Sequence, residues 1–197
     1  METRPDGFPE TYPKSAAEWR SYLAANHDRL ANTWLILAKK DNPASTLTYE
    51  EARDEALCYG WIDSKPNKRD ADTYYLFFAR RNPRSNWSKV NKDRIAALEA
   101  AGKLAAPGLA MIELAKSSGT WTALEDVDNL IEPEDLLAAF ASTNPAAKAN
   151  WDHFPPSARR GILEWIFNAK RPATRAKRIA ETVRLAQDNV RANQYRP

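Results

Sequence analysis

Between Leu57 and Asn91 the chain changes its hydrophobic period twice, and this constrains the fold more than any other stretch. A helical pattern ends at Leu57-Cys58-Tyr59-Gly60, where Gly60 suits the left-handed residue that stops a helix. Trp61-Ile62-Asp63-Ser64-Lys65 then alternates as a strand does, and Pro66 to Asp72 reads as a polar turn. Thr73-Tyr74-Tyr75-Leu76-Phe77-Phe78 is aromatic and β-favouring, so the two runs predict a hairpin. After Trp87 the apolar spacing becomes helical and stays so. The expectation is an α+β chain: a small N-terminal mixed sheet with helices, followed by an all-helical C-terminal half.

Upstream, Ser15 and Glu18 predict a capping box at the head of a helix that puts Trp19, Tyr22 and Leu23 on one face. Thr33 to Lys39 is a short apolar run, read as a buried strand that Asp41-Asn42-Pro43 ends. Thr48 and Glu51 form a second capping box at the start of the helix that Gly60 stops. Downstream, Ser88 opens a helix stopped by Gly102, and Pro107 opens another stopped by Gly119. Trp121 to Ile131 is a connection with a short helical turn. Pro133 and Pro145 start two more helices, Ser157 caps a third, and Pro172 stands at the first position of a last, basic one. The division expected is an irregular lead-in at 1–14, an α+β unit at 15–87 and a helical region at 88–197 packed on it.

Composition removes several classes. No run of eighteen apolar residues exists, so no membrane-spanning helix is expected. The proline-rich N-terminus lacks the apolar core of a secretory signal, and one cysteine cannot form an internal disulfide, which together predict the cytoplasm. One cysteine and two histidines in unrelated segments offer no zinc spacing, so neither metal nor cofactor is expected. The net charge of +3 conceals a basic end, with ten Lys/Arg against three Asp/Glu from Pro155 onward. Such an end serves nucleic acid or an acidic partner, or is the solvated face of amphipathic helices.

Several motifs carry a resemblance. Tyr49-Glu50-Glu51-Ala52, the run from Glu55 to Asp63 and Ser85-Asn86-Trp87-Ser88-Lys89-Val90-Asn91 resemble the YdeI/OmpD-associated bacterial proteins. So do Pro133-Glu134-Asp135-Leu136 and the run from Ala169 to Ile179, the latter two placing the family's C-terminal region at about 133–187. The likeness spans roughly Trp19 to Leu185. Where the family pattern usually has a proline before its arginine this chain has Ala79-Arg80-Arg81, which makes Arg81 the matching position. The resemblance implies bacteriocin protection, antimicrobial-peptide or envelope-stress tolerance, and no established reaction.

Two groups of residues stand out as candidate sites. Trp61 and Asp63 share a strand face, where the carboxylate can orient a ligand or pair with Arg80, Arg81 or Arg84. Arg81, Ser85, Trp87, Ser88 and Asn91 surround a helix start, and Lys89 and Lys92 put cations where the helix dipole disfavours them. Arginine, hydroxyls and free backbone N–H groups are what a phosphate or carboxylate site uses. The plainer alternative has the serines capping, Trp87 in the core and the arginines fixing a junction. Lys170, Arg171, Arg175 and Arg178 form the second group, a basic surface at a helix start, as helix-turn-helix DNA recognition also requires. Cys58 lies at the end of its helix where the dipole opposes a thiolate, so it reads as a packed hydrophobe and not a nucleophile.

No Gly-rich phosphate loop, Ser/His/Asp arrangement or paired-carboxylate motif is present, and no catalytic residue is assigned. The leading expectation is a binding protein for an anionic small molecule or an acidic partner segment. Trp61 and Asp63 would form one wall of its pocket, between the sheet and the helical half; Arg81, Ser85, Trp87 and Asn91 would form the other. The alternatives are a nucleic-acid-binding protein using the basic helices, and an enzyme of unrecognised reaction at the same pocket.

Overall fold

The structure is a computed structural model that describes residues 2–3, 7–39, 42 and 47–194. The chain divides into two compact units, residues 1–122 and 123–197.

The first unit is built on a mixed sheet of β1 (Glu2–Thr3), β2 (Pro9–Thr11), β3 (Asn32–Ala38), β4 (Trp61–Lys68) and β5 (Thr73–Arg80). The order is β1-β2-β3-β5-β4, with β1 a two-residue piece; β2 and β3 run parallel and the other pairs antiparallel. β4 and β5 form the expected hairpin, with Trp61 opposite Arg80 and Asp63 opposite Phe78. The lead-in is not irregular throughout. Pro9–Thr11 aligns Glu10 with Trp34, and the Pro9 carbonyl accepts from the Thr33 hydroxyl at 3.1 Å. Three residues are too few to display a period of two, and proline is tolerated because it opens the strand. Likewise Pro66 lies within β4 and not in the turn: β4 is an edge strand, and a register shift between Asp63 and Pro66 absorbs the missing donor. Of the expected stop at Asp41-Asn42-Pro43, only Asn42 lies within the described residues.

Helices α1 (Ala16–Asn26) and α2 (Tyr49–Cys58) cover one face of the sheet. Ser15 accepts from the Glu18 N–H as expected, but the Glu18 carboxylate reaches back to the Lys14 N–H at 2.8 Å, so the box is one residue wider than the usual motif. Thr48 and Glu51 form the full reciprocal box. Gly60, at φ 71°, stops α2. Trp19, Leu23, Leu35, Trp61, Leu76 and Phe78 fill the core beneath these helices.

Helices α3 (Lys89–Ala100) and α4 (Ala106–Ser118) also belong to this unit, so the compact division falls 35 residues beyond the boundary read from the change of period. They close a second core of Leu57, Cys58, Trp87, Ile95, Ile112 and Ala115 against the end of α2. The periodicity marks where strands end, not where a core ends. No strand follows Trp87 among the described residues.

The second unit comprises α5 (Glu125–Asp128), α6 (Glu134–Ala141), α7 (Pro145–His153), α8 (Pro156–Phe167) and α9 (Pro172–Gln187) around Leu136, Phe140, Trp151, Ile162, Ile166 and Val183. α8 begins at Pro156 without a side-chain cap, not at Ser157: two prolines preset its backbone, and the missing N–H costs nothing in a first turn. No helix among the described residues is long and apolar enough to cross a membrane.

Candidate functional site

Arg81 follows the last residue of β5, and its backbone N–H donates to Gly60 O at 2.9 Å, extending the hairpin by one bond. This tether turns its side chain inward: only 5% of the residue is exposed. The guanidinium lies over Trp87, 3.8 Å from the ring centroid, and Nη2 donates to Asn86 O. Nε has no hydrogen-bond partner, and no carboxylate among the described residues pairs with the group. Burial alone pushes its pKa down to about 10, so it remains a cation at neutral pH.

The loop between β5 and α3 is held by its own polar groups. Asn82 Oδ1 accepts from the Arg84 N–H at 2.9 Å, and Asn82 O accepts from the Ser85 hydroxyl at 2.7 Å. Ser88 caps α3 by accepting from the Asn91 N–H at 3.4 Å, so its own O–H remains to donate. Lys89 is neutralised by Asp93 at 2.9 Å, four residues along the exposed side of α3. Of the cations at this junction, Arg81 is the one that is buried.

The two expected walls do not meet in one pocket. Trp61 points into the core under α1 and α2, whereas Ile62 and Trp87 belong to the second core. Strand alternation sends neighbours 61 and 62 to opposite sides, and Asp63 follows Trp61. Asp63 accepts from Tyr49 Oη at 3.0 Å and makes no ion pair with Arg80, Arg81 or Arg84 among the described residues. Tyr49 is held above the usual phenol pKa, first by burial and then by this carboxylate. Arg53 lies 5.1 Å over the Tyr49 ring, its Nε without a hydrogen bond but 3.9 Å from Asp54 Oδ1. Tyr49 and Arg53 escaped the sequence reading; their spacing of four on α2 was the available signal. Cys58 is fully buried, and burial raises its thiol pKa.

At the C-terminal end, Arg175 makes a two-pronged ion pair with Asp135 at 2.6 and 2.8 Å, which holds that carboxyl below its usual range. Arg178 donates to Trp165 O and lies over the Trp165 ring at 4.9 Å. Lys170 and Arg171 are exposed. Only two of the four cations are thus spent within the fold.

Two family models match this chain. One, a domain of unknown function (DUF8412), covers residues 11–111, just over half of the sequence. The other, described as bacteriocin-protection, YdeI or OmpD-associated, covers residues 129–189. The chain belongs to the DUF8412 family and carries a YdeI/OmpD-associated domain. The motifs at Tyr49–Asp63 and Ser85–Asn91 fall in the DUF8412 stretch, and those at Pro133–Leu136 and Ala169–Ile179 in the YdeI/OmpD-associated stretch. No curated protein and no solved structure matches.

The YdeI/OmpD-associated domain also holds a charged cluster that the sequence reading missed. Glu132 accepts from Trp151 Nε1 at 2.9 Å, and Lys148 and Arg159 stand 3.5 and 4.0 Å from its carboxylate. Asp128 pairs with Arg160 at 2.8 Å. Glu132 Oε2, Asp128 Oδ2 and Arg159 Nε are buried without a hydrogen-bond partner. These residues come from α5, the segment after it, α7 and α8, so only the fold collects them.

Proposed function

We propose that this protein is a binding protein whose DUF8412 unit takes a small oxyanion, a carboxylate, phosphate or sulfate, at Arg81. The observation that carries this reading is Arg81 itself, a residue 5% exposed, charged at neutral pH and without a carboxylate partner. A buried cation left unpaired costs several kcal/mol, about what a bound anion would recover. Trp87, over whose ring it lies, holds the guanidinium in place, so an anion at the unpartnered Nε would bind with little rotamer loss. Ser88 O–H and the Asn91 side chain, next along the chain, supply neutral donors. The YdeI/OmpD-associated domain supports placing this binding in bacteriocin or antimicrobial-peptide tolerance.

The test is a melting series in phosphate, sulfate, acetate and chloride at constant ionic strength. At a hundred times its dissociation constant a bound anion adds about 2.7 kcal/mol, which raises Tm by about 2–4 °C per kcal/mol in a chain of this size. At least one oxyanion should raise Tm above chloride, and Arg81→Met should abolish the response. Equal midpoints in all four salts would overturn the reading.

A further inference from the structure

The second unit carries a cleft that the anion reading does not use. Val127, Leu163 and Ile166 line its base, and Ile131 and Phe167, exposed by 53% and 43%, form its sides. Its volume is about 100 Å³, smaller than the apolar cavity of about 150 Å³ that accepts benzene, so it takes one branched side chain or part of an aromatic one. Ile131 and Phe167 leave apolar surface in water beside this concave site, as contact surfaces do.

Charge states which partner fits. Lys170 and Arg171 follow Phe167 within four residues, both exposed and neither ion-paired among the described residues. Arg175, on the rim, is already held by Asp135, so it shapes the cleft without adding free charge. Asp126 lines the cleft from α5. We propose that this cleft docks an acidic segment of a partner protein, one bulky apolar side chain entering between Ile131 and Phe167 while adjacent carboxylates meet Lys170 and Arg171. A nucleic-acid backbone would satisfy the cations but leave the apolar cleft empty; a second copy of the chain would fill the cleft without requiring the cations.

Three fluorescently labelled peptides test this on the full chain: an acidic one containing a single phenylalanine, the same with that residue changed to serine, and a lysine-rich counterpart retaining the phenylalanine. Fluorescence anisotropy should show binding of the first alone, weakening as salt is raised. Phe167→Ser, and separately Lys170→Glu with Arg171→Glu, should each weaken it about tenfold or more. The lysine-rich peptide should bind the doubly reversed variant instead. Circular dichroism checks that each variant is folded, and Ile131→Ser replaces Phe167→Ser if that one is not. No binding of the acidic peptide, or binding indifferent to both variants, overturns the proposal. Self-association in sedimentation that Phe167→Ser abolishes assigns the cleft to a second copy, and single-stranded DNA that binds more tightly than the acidic peptide, indifferent to Phe167→Ser, assigns the cations to nucleic acid; either overturns it too.

Discussion

Arg81 stores an unfavourable interaction. Its pKa is depressed, so the folded state gives up the proton more readily than the unfolded one. The penalty is complete below about pH 10 and is relieved as pH rises from there toward the ordinary arginine range. A shift of this size corresponds to about 3 kcal/mol. The stack on Trp87 returns about 1–2 kcal/mol of that. Replacing Arg81 by methionine, of similar reach and no charge, should therefore leave Tm in chloride unchanged or raise it by a few degrees. A fall of more than a few degrees would mean that Arg81 serves the fold alone. Cys58 gives a second test at this scale. Its burial and raised pKa predict labelling by a thiol reagent at neutral pH far slower than that of free cysteine. Labelling at the free-cysteine rate would contradict that burial. Residue types alone pointed to Arg81 and Trp87, because arginine next to tryptophan and small hydroxyls is unusual outside a site. They could not tell that Trp61 and Trp87 face different cores, since one residue of strand register decides it.

The packing of α2 against α4 rests on one absent side chain. A Cβ built on Gly108 would lie 2.2 Å from Cys58 O, a backbone atom at the end of α2. The Ala105 N–H donates to that same carbonyl at 3.1 Å, so it cannot move aside without losing its partner. Gly108→Ala should then cost at least about 1–3 kcal/mol despite alanine's better helix propensity, because two helices must separate. A urea melt in which Gly108→Ala matches or exceeds the parent would refute this close approach. Elements with local punctuation were legible: Thr48 with Glu51, Gly60, Ser88, Gly119 and Pro172 mark their helix ends in the sequence as in the structure. Elements fixed by distant partners were not. β2 is a strand only because β3 lies beside it, and Pro66 stays in β4 only because that strand is an edge. A glycine inside a helix gives no local sign of the carbonyl that excludes a methyl group there.

At the scale of the whole chain, each unit has its own core. The buried residues that pack together in the second unit run from Leu124 to Ala192, whereas both clusters of the first lie between Trp19 and Ala115. Trp151 and Leu136 are fully buried among neighbours from the second unit, and Trp151 Nε1 finds its acceptor, Glu132, there as well. Its cross-links Asp128–Arg160 and Asp135–Arg175 also close within it. A unit of residues 123–197 buries roughly 60% or a little more of its unfolded surface, which makes it marginal but able to fold without a disulfide or metal. Helical topology favours it, since contacts local in sequence cost little loop entropy. A fragment beginning at Ala123 should therefore fold alone into a helical domain that melts cooperatively, at a lower temperature than the full chain. Glu132→Ala in that fragment should cost about 1–3 kcal/mol, because it leaves half-buried Arg159 without its carboxylate and Trp151 Nε1 without an acceptor. Circular dichroism with thermal melting checks both. A fragment without a cooperative transition would show that the core from Leu124 to Ala192 is not self-sufficient, and an unchanged midpoint for Glu132→Ala would remove the charged cluster from what holds the domain together.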